Sequence, residues 1–202
     1  MEDLKENIIC NEGDLYTILV NKDNQCPDNL NFEIVDVNSL YMNDRYLEKE
    51  AFNMWKLFQE QAKKDGFHIE IESGYRSKEL QQQIWDEIVL EKGLEHTKKY
   101  VAVPGYSEHQ TGLALDICLE ENGKYYCDTE FTDHKVVKYI ADNAYRFGFI
   151  VRYPKGKEEI TGYNYEPWHI RYVGLELAKE LTDNNLTLEE YYDNKYSKKQ
   201  GR

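Results

Sequence analysis

The sequence predicts an α+β domain, a small and mainly antiparallel sheet flanked by helices. Short stretches with apolar residues at every second position are interspersed with longer stretches of helical spacing, without strict βαβ alternation. Gly and Pro are scattered as turn markers, and no repeat or low-complexity linker divides the chain. A length of 202 residues suits one sizeable core and is short for two, so residues 1–202 are read as a single domain.

The elements follow in order. Leu15 to Val20 reads as a short strand, and Asn21 to Pro27 as a loop. Leu47, Ala51, Met54, Trp55, Phe58 and Ala62 have helical spacing, closed by Gly66. Phe67, Ile69 and Ile71 alternate as a strand running into Ser73-Gly74-Tyr75-Arg76-Ser77. A second helix, from near Ser77 to Gly93, turns Leu80, Ile84 and Ile88 inward, and a long loop leads on to Pro104-Gly105. In the next strand Leu113, Leu115, Ile117 and Leu119 share one face, and Gly112, Ala114, Asp116 and Cys118 the other. Val136, Val137, Ile140, Ala144 and Phe147 mark a third helix stopped by Gly148. Residues 149–153 and 165–173 read as strands, and the capping box Thr187-x-x-Glu190 opens a last helix.

Composition narrows the function. There are 25 Lys+Arg against 38 Asp+Glu, a formal charge of −13, and no basic stripe. Nucleic acid and anionic membrane surfaces are therefore poor partners. No apolar run approaches the ~20 residues of a membrane span. The opening Met-Glu-Asp-Leu-Lys-Glu-Asn lacks the basic and apolar regions of a signal peptide, so the chain reads as soluble and cytoplasmic, although one trimmed of a membrane anchor would look the same. Cys10, Cys26, Cys118 and Cys127 form no C-x-x-C pair and are read as free thiols, as suits a reducing compartment.

Asp116 sets the chemical question. It points from an apolar strand into space that its small neighbours leave open. A desolvated carboxylate needs a partner, which could be an arginine, a histidine or a metal. Of the five histidines, His68, His96 and His134 lie in polar or charged surroundings and read as surface residues. His109 and His169 lie among small, apolar or aromatic residues. Two histidines and one carboxylate would leave a tetrahedral zinc one open position, the catalytic pattern. The spacing H-x6-D alone reads equally well as a buried His–Asp hydrogen bond. Glu166 precedes His169 by three residues, with Pro167 and Trp168 between, and a local bend could aim both at one metal, with Glu166 relaying a proton. An edge carboxylate facing solvent is the alternative. Arg76 fits a fixed cation over an oxyanion or a clamp on a substrate carboxylate, or a turn residue paired with an acid. Ser73, Ser107 and Gln81 are polar groups beside these elements that could orient a peptide, although singly such residues are more often turns and caps.

Three stretches together resemble a known family: Ser-Gly-Tyr-Arg-Ser-x3-Gln (73–81), Ser-x-His-x2-Gly-x-Ala-x-Asp (107–116) and Glu-Pro-Trp-His-x-Arg-Tyr-Val (166–173). They look like the zinc D-Ala-D-Ala metallopeptidases, in particular the VanY and VanXY D,D-peptidases and their L,D-carboxypeptidase relatives. The resemblance runs from Leu15 to Tyr192, with support from Leu19-Val20-Asn21-Lys22 and from Gly148 to Pro154. It implies a hedgehog/D-Ala-D-Ala peptidase-like fold with zinc in a cleft over the sheet. It implies His109, Asp116 and His169 as zinc ligands, Glu166 as catalytic base and Arg76 as the stabiliser of developing negative charge. Ser107, Ser73 and Gln81 would hold the terminal D-residue, while Gly112 and Ala114 keep the floor of the site clear. The implied activity is removal of the C-terminal D-Ala from peptidoglycan precursor peptides, with or without D-Ala-D-Ala dipeptidase activity, in vancomycin resistance or wall maturation. Two alternatives stand beside it: an L,D-carboxypeptidase acting on tetrapeptide stems, and a non-catalytic zinc-containing peptidoglycan-binding module.

Overall fold

The computed structural model describes residues 12–41 and 45–200; Cys10 lies outside them. The chain enters through a 3-10 helix, Glu12–Thr17, in place of the strand expected at Leu15–Val20. The guanidinium of Arg171 donates to the carbonyls of Tyr16 (3.2 Å) and Ile18 (2.9 Å), so a buried cation satisfies oxygens that a strand would offer to a neighbour. Strands β1 (Ile34–Asp36) and β2 (Tyr46–Glu48) form a separate antiparallel pair, unforeseen in the sequence. Leu47 therefore belongs to β2 rather than to helix α1 (Lys49–Lys64), whose N-cap is Glu48, accepting from the Ala51 amide at 2.8 Å. Ala51, Trp55, Phe58 and Ala62 of α1 are buried as their spacing predicts.

Strand β3 (His68–Ser73) leads to helix α2 (Lys78–Lys92), which Ser77 caps. The inward face expected of α2 is not core. Leu80 is 44% exposed, Gln81 is the one buried residue of the helix, and Ile84 and Ile88 line an open cleft. The loop expected after Gly93 contains α3 (Leu94–Tyr100). Its charged sequence has no apolar period, and the helix is pinned locally by the Thr97 hydroxyl donating to the Gly93 carbonyl at 2.9 Å.

Strand β4 (Ala114–Glu121) turns back through Asn122-Gly123 into β5 (Lys124–Tyr126). Both turn residues have positive φ, 55° and 78°, the hairpin geometry that Asn-Gly favours. Helices α4 (Asp128–Phe131) and α5 (Lys135–Asn143) follow, the latter extended by a 3-10 turn to Phe147 and stopped at Gly148. Strand β6 (Phe149–Tyr153), the single turn α6 (Glu158–Thr161) and strand β7 (Glu166–Tyr172) complete the sheet. Helix α7 (Leu175–Asp183), not anticipated, joins α8 (Leu188–Gln200) in sealing a small second core of Ile150, Val173, Leu177, Leu181 and Leu188. The capping box at the start of α8 forms as predicted: the Thr187 amide donates to Glu190 (2.8 Å), and the Glu190 amide to the Thr187 hydroxyl (3.2 Å).

The sheet order is β3-β4-β7-β6, antiparallel throughout, with β5 pairing the far half of β4. The predicted alternation of β4 holds. Leu113, Leu115, Ile117 and Leu119 enter the main core with Trp55 and Phe58, which turns Asp116 to the opposite face. Two bulges then shape that face. Ile71 pairs with Ile117 but Ser73 with Asp116, so two steps along β3 span one along β4. Val151 pairs with Ile170 but Tyr153 with Glu166, so two steps along β6 span four along β7.

Candidate metal centre

Ser73, Asp116 and His169 lie side by side across three strands, because Asp116 pairs with Ser73 on β3 and with His169 on β7. Residues opposite one another across a ladder share a face. His109 reaches them from the 3-10 turn Glu108–Thr111 just before β4. The ligand atoms of His109, Asp116 and His169 lie within 4.8 Å of one another and form a group that could hold a metal ion. The turn leaves through Gly112 at φ 71°, where a Cβ would lie 2.6 Å from the Ile34 side chain and 3.0 Å from the Glu48 amide nitrogen. Gly112 therefore permits a sharp turn against β1 and β2; it does not clear the floor of the site, as the sequence reading expected.

Each ring has its second nitrogen assigned. His109 Nδ1 lies 2.7 Å from the Gly74 carbonyl oxygen, leaving Nε2 toward Asp116 Oδ2 at 3.2 Å. Gly74 packs so tightly against β2 that a Cβ there would collide with the Tyr46 carbonyl. His169 presents the other atom: Nδ1 is 2.8 Å from Asp116 Oδ1, and Nε2 points away toward Glu108 Oε2 at 3.6 Å. Tyr153 stacks on the His169 ring with centroids 4.9 Å apart and 26° between the planes.

Burial opposes ionisation of Asp116, yet His109 and His169 hold its carboxyl well below the usual range. Burial also disfavours a charged His169, but Asp116 and Glu108 outweigh it and lift the imidazole to about 9; the His109 pKa is lowered, by burial first and then by Arg76. These groups place a carboxylate between two imidazoles, a donor set whose charge suits a metal dication. Two imidazole nitrogens and a carboxylate oxygen suit zinc, with a coordination position left over.

The remaining predicted residues stand around this group. The β6/β7 bulge answers how Glu166 and His169, three apart on a strand, come to line the same cleft. Glu166 is 5% exposed, and burial, opposed by His169, raises its carboxyl to about 8. Arg76 donates to Ser73 Oγ (2.9 Å), Gln81 Oε1 (3.0 Å) and Asp116 Oδ2 (3.1 Å). Gln81 is fully buried and also donates to the Ala102 carbonyl at 2.8 Å. Ser73 and Gln81 thus aim the guanidinium. Ser107 lines the cleft and caps the His109 turn, its Oγ accepting from the His109 amide at 3.3 Å. The cleft measures about 350 Å³ and is lined also by Tyr153, Tyr163, Trp168, Ile84, Ile88 and His96.

Sequence reasoning missed Glu108, Arg152, Arg171 and Glu189. All four are buried and joined by charge-assisted hydrogen bonds: Glu108 Oε1 accepts from Arg152 Nε and Arg171 Nη1, both at 2.8 Å, and Arg152 reaches Glu189 at 2.6 and 2.9 Å. The signal was present in Phe-Ile-Val-Arg-Tyr and Trp-His-Ile-Arg-Tyr, two apolar strands each carrying an arginine that had to find an acid inside.

A His/Asp/His group that could hold a metal, with a buried glutamate lining the same cleft, is the arrangement of a metal-dependent hydrolase. The comparisons narrow that class. Residues 44–175 match the model of the VanY family, described as D-alanyl-D-alanine carboxypeptidase. The chain is 46% identical to YodJ of Bacillus subtilis (strain 168) over 87% of its own length and 66% of that protein's. It is 41% identical to the bifunctional D-Ala-D-Ala dipeptidase and carboxypeptidase VanXYC of Enterococcus gallinarum, over 74% of this chain and 79% of the other. Among solved structures, the LD-carboxypeptidase LdcB has a TM-score of 0.78 at 45% identity, covering 87% of this chain and 84% of that one. VanYB in complex with D-alanine-D-alanine gives 0.78 at 37%, over 88% and 97%. A VanY mutant in complex with Zn(II) gives 0.78 at 37%, over 88% and 99%. The chain belongs to the VanY family of D-alanyl-D-alanine carboxypeptidases. No helix among the described residues is long and apolar enough to cross a membrane.

Proposed function

We propose that this protein is a zinc metallopeptidase that removes the C-terminal D-Ala from peptidoglycan precursor peptides ending in D-Ala-D-Ala. One observation carries the reading: His109, Asp116 and His169 converge at the floor of a cleft that Glu166 and Arg76 also line. The Zn(II) and D-Ala-D-Ala complexes of the VanY relatives support it. His109 Nε2, Asp116 and His169 Nδ1 would hold the zinc, which when bound supplies Lewis acidity toward the scissile carbonyl.

The protein's own groups do the rest. Glu166 takes a proton from the attacking water and delivers it to the departing D-alanine amine. Its burial raises the carboxyl to about 8, so it can hold a proton near neutral pH, and a bound dication would favour its ionised form, as a group that both accepts and returns a proton requires. Arg76, fixed by Ser73 and Gln81, faces the charge that develops on the carbonyl oxygen. Ser107, which lines the cleft, would meet the terminal carboxylate. A cytoplasmic location is part of this reading, supported by the free thiols of Cys26, Cys118 and Cys127.

The test is D-alanine release by the zinc-loaded protein from D-Ala-D-Ala, from a pentapeptide ending in D-Ala-D-Ala and from a tetrapeptide ending in one D-Ala. Release from the pentapeptide is the expected result, and release from the dipeptide as well would mark the bifunctional type. Release from the tetrapeptide alone would assign the L,D reaction, the activity named for LdcB. Zinc binding with no release from any would leave a binding module.

A further inference from the structure

His169 has a second polar contact that the reaction does not use. Among the described residues its Nε2 is buried and without a hydrogen-bond partner within normal range, and so is Glu108 Oε2, the atom 3.6 Å away. Two complementary buried groups so close, each otherwise unpaired, are partners in a slightly stretched pair, since leaving either alone would cost its desolvation. The other oxygen of Glu108 is held by Arg152 and Arg171, and Arg152 is held in turn by Glu189, which also accepts from Asn21 at 3.0 Å. Glu108 therefore cannot swing away from the ring.

We infer that Glu108 is a positioning residue for the metal centre: its Oε2 accepts from the Nε2–H of His169 and so fixes the tautomer and rotation that offer Nδ1 to the ion. The inference rests on the zinc-site reading above and adds the residue that selects which imidazole nitrogen serves it. Outer carboxylates of this kind orient histidine ligands and raise their basicity. The geometry also dictates what an isosteric amide would do. In Glu108→Gln the two guanidinium donors would require the amide oxygen, so its NH2 would face His169 Nε2. That nitrogen would become the acceptor, and the proton would move to Nδ1, the atom the zinc needs.

The experiment is zinc affinity by competition with a chromogenic chelator, for the parent protein, Glu108→Gln and Glu189→Gln. Glu189→Gln breaks the same ion network without touching His169, so it controls for loosened structure. Glu108→Gln is expected to lose about 10–100-fold in zinc affinity, and Glu189→Gln to stay near the parent. Parental affinity in Glu108→Gln, or an equal loss in both variants, would overturn the inference. Histidine 15N NMR of the zinc-loaded parent needs no variant: it should show His169 protonated at Nε2 and metallated at Nδ1, and the reverse assignment would also refute it. A parent that binds zinc but hydrolyses nothing would sink the peptidase reading alone, whereas a parent that binds no zinc would sink both.

Discussion

Replacing Arg76 by alanine separates what this side chain does for the fold from what it does for the reaction. Its guanidinium satisfies three acceptors at once, Ser73, Gln81 and Asp116, at 2.9, 3.0 and 3.1 Å. Removing it strands Gln81 Oε1, on a fully buried side chain, at a cost of about 1–3 kcal/mol. For a chain of this size that lowers the melting temperature by about 2–12 °C. The kinetic loss is larger: deleting one fixed donor to a developing oxyanion costs about 10²–10³ in kcat. Arg76→Lys restores a charge but not the planar fork that meets all three acceptors, so it should regain part of the rate and little of the stability. The assay is steady-state D-alanine release from the pentapeptide at matched zinc occupancy, with melting curves recorded alongside. A fall in kcat at nearly constant KM is the signature of an interaction made in the transition state. An Arg76→Ala enzyme with kcat within a few-fold of the parent would refute the oxyanion role, and a rise in KM alone would make Arg76 a ground-state clamp.

Three further outcomes follow from the same geometry. Glu166→Ala should bind zinc as the parent does yet lose about 10²–10⁴ in turnover; undiminished release would remove Glu166 as the base. Gly112→Ala forces a Cβ onto a residue at φ 71°, so beyond about 1–2 kcal/mol of backbone strain it must displace the end of the Ile34 side chain and crowd the Glu48 amide nitrogen. Its melting temperature should fall by several degrees, and an unchanged value would show that the turn relaxes freely. Burial works against an ionised Glu189, but Arg152 outweighs it and holds the pKa below the ordinary value. A depressed carboxylate contributes stability that is present above its unfolded pKa of about 4.3 and is lost as pH falls through the folded value. Melting temperature should therefore drop steeply below about pH 4, and Glu189→Gln should flatten that drop.

The site was more legible than the fold that carries it. Alternation in residues 113–119 gives the face of Asp116, and of the motif residues Arg76, Gln81, Ser107, His109, Asp116, Glu166 and His169 line one cleft while Ser73 contacts it through Arg76. What the sequence hid was register. Nothing in Glu166-Pro167-Trp168-His169 tells that β7 spends four residues where β6 spends two, because a bulge is a property of a pair of strands. Helix α3 was hidden by a run of charges with no apolar face, and Tyr16 and Ile18 gave a strand pattern while their carbonyls went to Arg171. Asn122-Gly123 carries a hairpin signal in the sequence, and the arginines of two apolar strands signal buried acids, which the structure shows to be Glu108 and Glu189.

The measurement that bears most directly on the central claim is D-alanine release from the pentapeptide before chelation, after chelation and after zinc is restored. The account predicts release that disappears with the metal and returns with one zinc per chain. Release that persists in metal-free protein, or none from protein carrying zinc at His109, Asp116 and His169, would contradict it.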